Sequence, residues 1–418
     1  RLFTGLIILN SFFGCMPDRQ TKQSELLEII QNKSPIVDEV LKEPDKYKVG
    51  ILYTLIDRAA DNVPIFRSLS YRVKKNEYFY PASTVKFPAA ILALEKLNRL
   101  HMAGLNKYSP LRIDSAYSGQ TAVIEDSTAP GNKPTIAHYI RKIFLVSDND
   151  AYNRLYEFLG QQYINQRLGE MGFPSVKLIR RLETGLSPEE NRATNPFIFY
   201  ENGKIIYSQP LVINQNEYRI EMKNVRQGRG YIQKGEQVNQ PIDFSHSNFF
   251  PLDAQQSLMK MIMFPESVSL ENRFELTGDD YQFLYTYMSM LPRESSIPAY
   301  EDTTKYFDGY LKFFMYGDRR EKIPGNLRIF NKSGQAYGYL IDNAYVIDFE
   351  NRVEFLLTAM LQVNENQIYN DDTYEYDSIG LPFLADLGRI IYEYELNRER
   401  EFAPDLSRFK VIVTGEEK

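Results

Sequence analysis

Residues 83–100 read STVKFPAAILALEKLNRL, and this stretch decides how the rest of the chain is interpreted. Apolar residues such as Phe87 and Ile91 recur at helical spacing, so the pattern predicts a helix that begins near Ser83. Residues three apart share one face of a helix, which places the amine of Lys86 beside the hydroxyl of Ser83. The helix N-terminus adds positive potential at that point. A serine whose proton can pass to an adjacent desolvated lysine is a candidate nucleophile.

Two later tripeptides distinguish this Ser-x-x-Lys motif from its repeats at Ser257–Lys260 and Ser407–Lys410. The spacing alone is a weak signal, because about one or two matches arise by chance in a chain of this size. Ser147-Asp148-Asn149 interrupts a helical pattern, where a short loop can present a hydroxyl and an amide to a cleft. Lys332-Ser333-Gly334 ends a strand-like run and can line the opposite wall. Each tripeptide alone also fits a helix cap or a turn, but their order behind Ser83 favours a site.

The composition is that of an ordinary globular protein, and it excludes several kinds of site. The 418 residues are 43% hydrophobic and 25% charged, and 49 Lys and Arg against 55 Asp and Glu give a net charge of −6. This mild acidity argues against nucleic acid as the main partner. One cysteine and three scattered histidines exclude a disulfide scaffold, a cysteine zinc cluster and a redox Cys-x-x-Cys pair. We therefore expect neither a metal nor a cofactor.

The single cysteine lies at the end of an N-terminal apolar run. Residues 2–14 read LFTGLIILNSFFG, which is too short to span a bilayer and about right for the apolar part of a secretory signal. Gly14 followed by Cys15 and a polar stretch resembles a bacterial lipoprotein signal, in which the cysteine carries lipid. The prediction is a lipid anchor at Cys15 on the periplasmic face of the cell envelope. A secreted or soluble periplasmic protein is the alternative.

The remaining elements run from a strand through helices to paired strands and a final helix, which suits an α/β layer with a helical insertion. Helical spacing predicts helices at 24–41, 83–100, 135–144, 151–159, 252–263, 278–290 and 379–398. Strand-like runs lie at 49–56, 77–80, 327–331, 339–349 and 353–363. Between 197 and 250 the chain becomes rich in Asn, Gln and Tyr, and Asn202-Gly203 predicts a hairpin turn there.

With its three motifs in this order, the chain resembles the penicillin-recognising serine hydrolases and, within them, the class A β-lactamases. The resemblance covers roughly residues 49–196 and 252–396 and leaves 197–250 as an insertion. It implies an α/β (α+β) fold of the β-lactamase/transpeptidase kind: an antiparallel sheet flanked by helices, with an all-helical subdomain inserted at about 83–295. The expected plan is a signal peptide (1–15), an N-terminal helical leader (16–46) and one catalytic domain (47–412), with sheet strands at 49–80 and 327–363.

The resemblance also implies roles for the catalytic motif residues. Ser83 looks like the acylated nucleophile, and Lys86 looks like its proton partner. Ser147 is similar to the hydroxyl that passes a proton to the leaving group. Asn149 is similar to the amide that contacts the substrate.

The third motif resembles the substrate-binding wall of the family. Lys332 and Ser333 look like the pair that binds the substrate carboxylate, with Gly334 and Gln335 on the same strand. The oxyanion hole implied by this fold uses the backbone N–H groups of Ser83 and Gln335.

A deacylating base is the feature that would separate a hydrolase from a trapped acyl-enzyme. Arg181-Leu182-Glu183 stands where the family's Arg-x-Glu opens the Ω-loop, so the carboxylate of Glu183 is expected to activate a water. A solvated glutamate is the alternative interpretation of Glu183.

Three residues depart from the family pattern around Glu183. Thr184 replaces the usual proline, and Ser187 replaces an asparagine that helps to hold the water. Arg192 falls where an acidic partner for Arg181 is expected. We therefore expect the loop to be held differently, through Glu189 or Glu190.

Three functions follow as hypotheses. The first is a class A type β-lactamase that works through an acyl-enzyme on Ser83. The second is a penicillin-binding D-Ala-D-Ala peptidase, or another amide or ester hydrolase, on the same fold. The third is an inactive, lipid-anchored binding protein. The expected partner is a small molecule, either a β-lactam or a peptidoglycan-like peptide, and the sequence leaves the oligomeric state open.

Overall fold

A computed structural model of the protein describes residues 19–410. Cys15 and the apolar run before it lie outside the described residues, so the lipid anchor stays a prediction. Among the described residues, every helix is too short or too polar to cross a membrane.

The described chain is rich in helices, several of which start or stop at residues that the sequence marks. They are α1 (Arg19–Ile30), α2 (Pro35–Lys42), α3 (Lys86–Arg99), α4 (Ile136–Val146), α5 (Asn149–Leu159), α6 (Gln161–Glu170), α7 (Pro188–Arg192), α8 (Leu252–Met263), α9 (Gly278–Ser289), α10 (Phe313–Tyr316) and α11 (Leu381–Asn397). Pro35 divides the predicted helix 24–41 in two because proline lacks an N–H, and it opens α2 at the first position.

Sixteen strands complete the described part of the chain. They are β1 (Gly50–Arg58), β2 (Pro64–Tyr71), β3 (Leu111–Ile113), β4 (Ala193–Thr194), β5 (Phe197–Glu201), β6 (Lys204–Gln209), β7 (Val212–Ile213), β8 (Arg226–Gln227), β9 (Gly230–Gln233), β10 (Glu236–Val238), β11 (Ile242–Asp243), β12 (Leu327–Asn331), β13 (Gly334–Ala336), β14 (Tyr339–Asp348), β15 (Val353–Gln362) and β16 (Ile368–Tyr369).

The central sheet is antiparallel and has the order β12-β14-β15-β1-β2, with β13 also paired to β14. Every residue of β14 is buried, because helices cover both faces of the sheet. One face packs against α1, α2 and α11, and the other packs against the helices between α3 and α9. The antiparallel sheet flanked by helices confirms the predicted fold class.

Two strand predictions near the N-terminus need correction. Residues 77–80 form no strand; Glu77 makes a single bridge to Lys223, and Tyr78 packs in an aromatic cluster. The edge strand β2 lies inside the expected sheet range 49–80 but was not recognised as a separate strand, because its solvent-facing positions interrupt the apolar run. Residues 77–80 thus have a strand-like pattern because their aromatic side chains pack against the insertion.

The insertion at 197–250 folds as short sheets, so the inserted part of the fold carries strands as well as helices. β5 and β6 form the predicted hairpin, and Asn202 and Gly203 both have positive φ as such a turn requires. β5 also pairs with β3, and β9 pairs with β16 after the central sheet. The insertion is therefore joined to the body of the fold on two sides.

Candidate active site

Ser83 lies in a 3₁₀ turn, Ala82–Val85, immediately before α3. Ala82 has a φ of +48°, a left-handed conformation that is uncommon for a residue with a side chain. The Thr84 hydroxyl donates to the carbonyl of Pro81 at 2.7 Å and fixes the turn. Ser83 is partly exposed, whereas Lys86, one turn later, is buried.

The amine of Lys86 joins the first motif to the second. Its Nζ lies 2.8 Å from Ser83 Oγ, 3.1 Å from Ser147 Oγ and 2.5 Å from Asn149 Oδ1. It also donates to the Ser147 carbonyl. The predicted nucleophile, its proton partner and the two polar groups of the second motif are thus in contact.

The second motif is the junction between two helices. Ser147 caps the end of α4 in a left-handed conformation, with φ 56° and ψ 41°. Asp148 caps the start of α5 and accepts from the backbone N–H of Ala151 at 2.7 Å. This tight reversal turns Ser147 and Asn149 toward Lys86. The tripeptide therefore caps both helices and also places two polar groups at Lys86.

The third motif contacts the second motif through the amine of Lys332. Lys332 Nζ donates to Ser147 Oγ at 2.9 Å and to the Ser333 carbonyl at 2.7 Å. Two lysines therefore share one serine hydroxyl. The Ser333 hydroxyl is buried and has no hydrogen-bond partner among the described residues.

Gly334 lets strand β13 run against the nucleophile turn. A Cβ at this position would lie 2.8 Å from the backbone nitrogen of Ser83, closer than real contacts allow. Gln335, the next residue, lines the same cavity as Ser83. The two residues implied in the oxyanion hole thus lie at one cavity.

Burial controls the charge of both active-site lysines. It lowers the pKa of Lys86 to about 7, and the negative charges of Asp148 and Glu183 oppose this effect only in part. Burial, and then the positive charge of Lys86, hold the pKa of Lys332 well below its usual range. Because both amines contact Ser147, their protonation is coupled.

A further buried lysine, which the sequence analysis did not predict, supports the third motif. Lys312 Nζ donates to the carbonyls of Met288 and Ile329 at 2.7 and 2.8 Å, and to Asn331 Oδ1 at 2.8 Å. Asn331 in turn donates to Asp342 Oδ1 at 2.8 Å. These contacts fix the end of β12, immediately before Lys332. No local pattern marks Lys312, since its partners are far away in sequence.

The loop that carries Glu183, here called the Glu183 loop (residues 177–187), is anchored by a buried ion pair. Arg181 is 2% exposed, and its Nε lies 2.8 Å from Glu157 Oε1 on α5. The expected anchoring through Glu189 or Glu190 is confirmed for Glu190, whose carboxylate bonds the last residue of this loop. Glu189 is exposed, and the Glu190 carboxylate accepts from the backbone N–H of Ser187. Only the backbone carbonyl of Glu190 accepts from Arg181.

Buried amide side chains satisfy the backbone of this irregular loop in place of a helix or sheet. Asn153, Asn165 and Asn248 each bond both N–H and C=O groups of the loop. Asn191 accepts from the N–H of Arg181, and Gln161 donates to the carbonyl of Ile179. Asn165 belongs to a Tyr-x-Asn sequence on α6, and its role here is structural.

Glu183 follows the anchored segment and has a φ of +51°. Its side chain is exposed and lines a cavity of about 420 Å³ together with Ser83, Asn149 and Gln335. The negative charge of Glu183 acts on Lys86. The structure therefore places Glu183 in the same cavity as the nucleophile, here called the Ser83 cavity.

We expect Arg181→Leu to lower the free energy of unfolding by roughly 3 kcal/mol, because it leaves buried Glu157 with one cation fewer. The expected loss of unfolding free energy is near the low end of the range for a broken buried ion pair, because Arg154 also contacts Glu157 at 3.0 Å. Urea denaturation measures the change. Arg192→Leu is the matched control, because Arg192 pairs with the 81% exposed Glu217 and should cost about 1 kcal/mol or less. Equal losses in both variants would contradict the anchoring role.

The competing motifs do not assemble into a second site. Ser257 and Lys260 lie on α8, where the Lys260 amine packs over the ring of Phe66. His138 is buried, contacts Thr128, and has its pKa lowered to about 4 by burial, so it is a neutral structural histidine. Within residues 19–410 no group of three or more His, Cys, Asp or Glu is placed to hold a metal ion.

The comparisons with known proteins point to one family. Residues 41–220 match the model of the Beta-lactamase enzyme family. No curated protein matches the chain.

Several solved structures are similar. The structure of PBP-A has 14% identity and a TM-score of 0.48, covering 89% of this chain and 95% of that chain. A β-lactamase from Desulfarculus baarsii DSM 2075 has 14% identity and a TM-score of 0.46, covering 92% and 100%. A β-lactamase from Sphaerobacter thermophilus DSM 20745 has 12% identity and a TM-score of 0.46, covering 86% and 95%. The chain is similar to the Beta-lactamase enzyme family over residues 41–220, and its three motifs are in contact through the amines of Lys86 and Lys332.

Proposed function

We propose that the protein is a serine hydrolase that opens β-lactam rings through an acyl-enzyme on Ser83. The observation that carries the proposal is the contact of Lys86 Nζ with Ser83 Oγ at 2.8 Å, made by an amine whose burial lowers its pKa to about 7. A neutral amine at this distance can take the serine proton. The direct contact favours Lys86 as the base for acylation over a water bound to Glu183.

Acylation then proceeds with residues that are already in contact. Ser83 Oγ bonds to the lactam carbonyl carbon as its proton passes to Lys86. The N–H groups of Ser83 and Gln335 stabilise the oxyanion, a contribution of several kcal/mol in comparable sites. The ring C–N bond breaks, and Ser147 gives its proton to the leaving nitrogen. Lys86 or Lys332, both bonded to Ser147 Oγ, restores that proton.

Substrate binding and deacylation use different residues around Ser83. Lys332 and Ser333 bind the substrate carboxylate, and Asn149 contacts the acyl amide. Glu183 accepts a proton from a water, whose oxygen attacks the ester carbonyl and releases the ring-opened product. Its place in the Ser83 cavity and its solvent exposure support this role.

The acylation rate constant should rise with pH and level off above about pH 7. Burial lowers the pKa of Lys86 to about 7, so at lower pH the amine is protonated and cannot accept the serine proton. Because Lys332 titrates with it, the observed pKa belongs to the pair. Single-turnover acylation by a penicillin between about pH 5.5 and 9 measures this profile. A rate constant that is flat over this range would exclude Lys86 as the base.

A D-Ala-D-Ala peptidase is the second candidate function, and the shape of the Ser83 cavity favours it. The cavity extends past the nucleophile along Tyr337, Tyr374 and Tyr376, which gives room for a peptide-like acyl group. Such an enzyme would keep a penicillin on Ser83 for a long time and would cleave D-Ala-D-Ala peptides. The lifetime of the penicillin adduct separates the two candidates.

The proposed setting is the cell envelope, where β-lactams and peptidoglycan are met. It rests on the signal-like run before Cys15. Fatty-acid labelling of the full precursor in cells, lost in Cys15→Ser, would support the lipid anchor, and its absence would favour secretion.

A further inference from the structure

The last residues of the insertion return to the Glu183 loop. Phe249 and Lys177 exchange two backbone hydrogen bonds, at 2.7 and 2.8 Å. Next to them, Asn248 Oδ1 accepts from the N–H groups of Ile179 and Arg180 at 2.7 and 3.0 Å. Asn248 Nδ2 donates to the Arg180 carbonyl at 3.1 Å. One side chain, 1% exposed, thus holds three backbone groups of the loop.

Asn248 is itself tied to the segment that leads into the nucleophile turn. The hydroxyl of Tyr78 donates to the Asn248 carbonyl at 3.0 Å. The ring of Tyr78 lies 5.5 Å from that of Phe244 and 5.6 Å from that of Phe249, both in the closing part of the insertion. Tyr78 precedes Ser83 by five residues. The same contact chain therefore links the loop that carries Glu183 to the segment that leads into the Ser83 turn.

The backbone N–H groups of the two halves of the Glu183 loop have partners in different parts of the fold, whereas the carbonyls of Ile179 and Arg180 also accept from Gln161 and Tyr152 of the helical region. Arg181 and Leu182 are held by Asn191 and Asn153, which lie in the main body of the helical region. The upstream half, Ile179 and Arg180, receives its N–H partner from Asn248 alone among the described residues. A loop without helix or strand depends on such side chains to hold its backbone groups. A misplacement of about 1 Å can cost a reaction step about 100-fold.

We propose that Asn248 is a positioning residue that sets the rate of deacylation, which makes the insertion part of the hydrolytic machinery. The inference rests on the proposed function, because it requires an acyl-enzyme whose hydrolysis uses the Glu183 loop. Acylation depends on Ser83, Lys86 and Ser147, which contact each other without the loop. Loss of Asn248 should therefore slow one step and spare the other.

The experiment compares Asn248→Ala, Asn248→Asp and wild type in single-turnover acylation and deacylation with a penicillin, followed by intact mass. For Asn248→Ala we expect deacylation to fall about 10- to 100-fold and acylation to change less than about 3-fold. Asn248→Asp keeps both acceptor contacts and should lie nearer to wild type. Asn239→Ala is the matched control, an exposed asparagine of the same insertion that should leave both steps unchanged.

The melting temperature of each variant is measured in parallel. Tyr78→Phe is a milder substitution that replaces Asn248→Ala in the experiment if Asn248→Ala does not fold. Removing the Tyr78 hydroxyl frees the Asn248 carbonyl and should slow deacylation more than acylation. Equal loss in both steps, or a lower melting temperature with both steps intact, would reduce Asn248 to a structural residue and overturn the inference. In those cases a wild-type protein that turns over penicillin would leave the proposed function standing. Failure of wild type to form any adduct would instead refute the proposed function itself.

Discussion

Ser83→Ala is expected to abolish the mass shift that a penicillin produces and to lower its hydrolysis at least about 10³-fold. Without the hydroxyl no acyl-enzyme can form, and Lys86 loses the hydroxyl that lies 2.8 Å from its amine. Lys86→Met should give a loss of similar size, since the two residues act as one unit and their effects do not add. Intact mass after mixing, with the hydrolysis rate measured in parallel, gives both quantities.

The chain offers its own control for this experiment. Ser257 and Lys260 have the same Ser-x-x-Lys spacing on α8, away from the other two motifs. Ser257→Ala should label and hydrolyse like wild type. If Ser83→Ala and wild type gave the same result in every hydrolytic assay, the protein would be better explained as a binding protein on an inactive hydrolase scaffold.

Glu183→Gln is expected to keep acylation and to slow deacylation by about 10²- to 10⁴-fold, so that the acyl-enzyme accumulates. Glutamine has nearly the same shape but cannot take a proton from water. The adduct on Ser83 should therefore appear at the wild-type rate and persist. Time-resolved intact mass after addition of one equivalent of penicillin follows both events in one sample.

Glu189→Gln is the matched control for Glu183→Gln. Glu189 is an exposed carboxylate at the start of α7, six residues further along the chain. It should leave the lifetime of the adduct unchanged. If wild type already held its adduct as long as Glu183→Gln, Glu183 would not be the deacylating base. The peptidase function would then be favoured.

The parts of the fold with strong local signals could be predicted from the sequence. The helical spacing around α5 and the Asn202-Gly203 hairpin depend only on neighbouring residues, and both agree with the structure. The three motifs could be chosen over their repeats because they occur in one order. In the structure Ser83, Ser147 and Lys332 lie close together. Each lies at or next to the end of a helix or strand that the local sequence pattern predicts.

The rest depends on contacts between distant segments and could not be predicted. Arg181 pairs with Glu157 on an earlier helix, whereas the family resemblance places the expected acidic partner after it in the chain. Lys312 and Asn248 act by bonding backbone groups far away in the chain, and no residue pattern identifies a backbone partner. Glu77 to Tyr80 looked like a strand because aromatic residues favour both sheets and packed clusters.

The pairing of β1 with β15 has a consequence for how the chain folds. Ile51 lies opposite Ala359, so the central sheet closes only when residues about 300 positions apart meet. At about 5–20 residues per second, a ribosome needs roughly 15–60 s to supply the second strand after the first. During that time the β1–β2 hairpin has an unpaired edge, which invites wrong pairing with other chains. We therefore expect the nascent protein to depend on a chaperone or on delayed collapse until β15 is made, and we expect shortening from the C-terminus to cause aggregation rather than a smaller folded core.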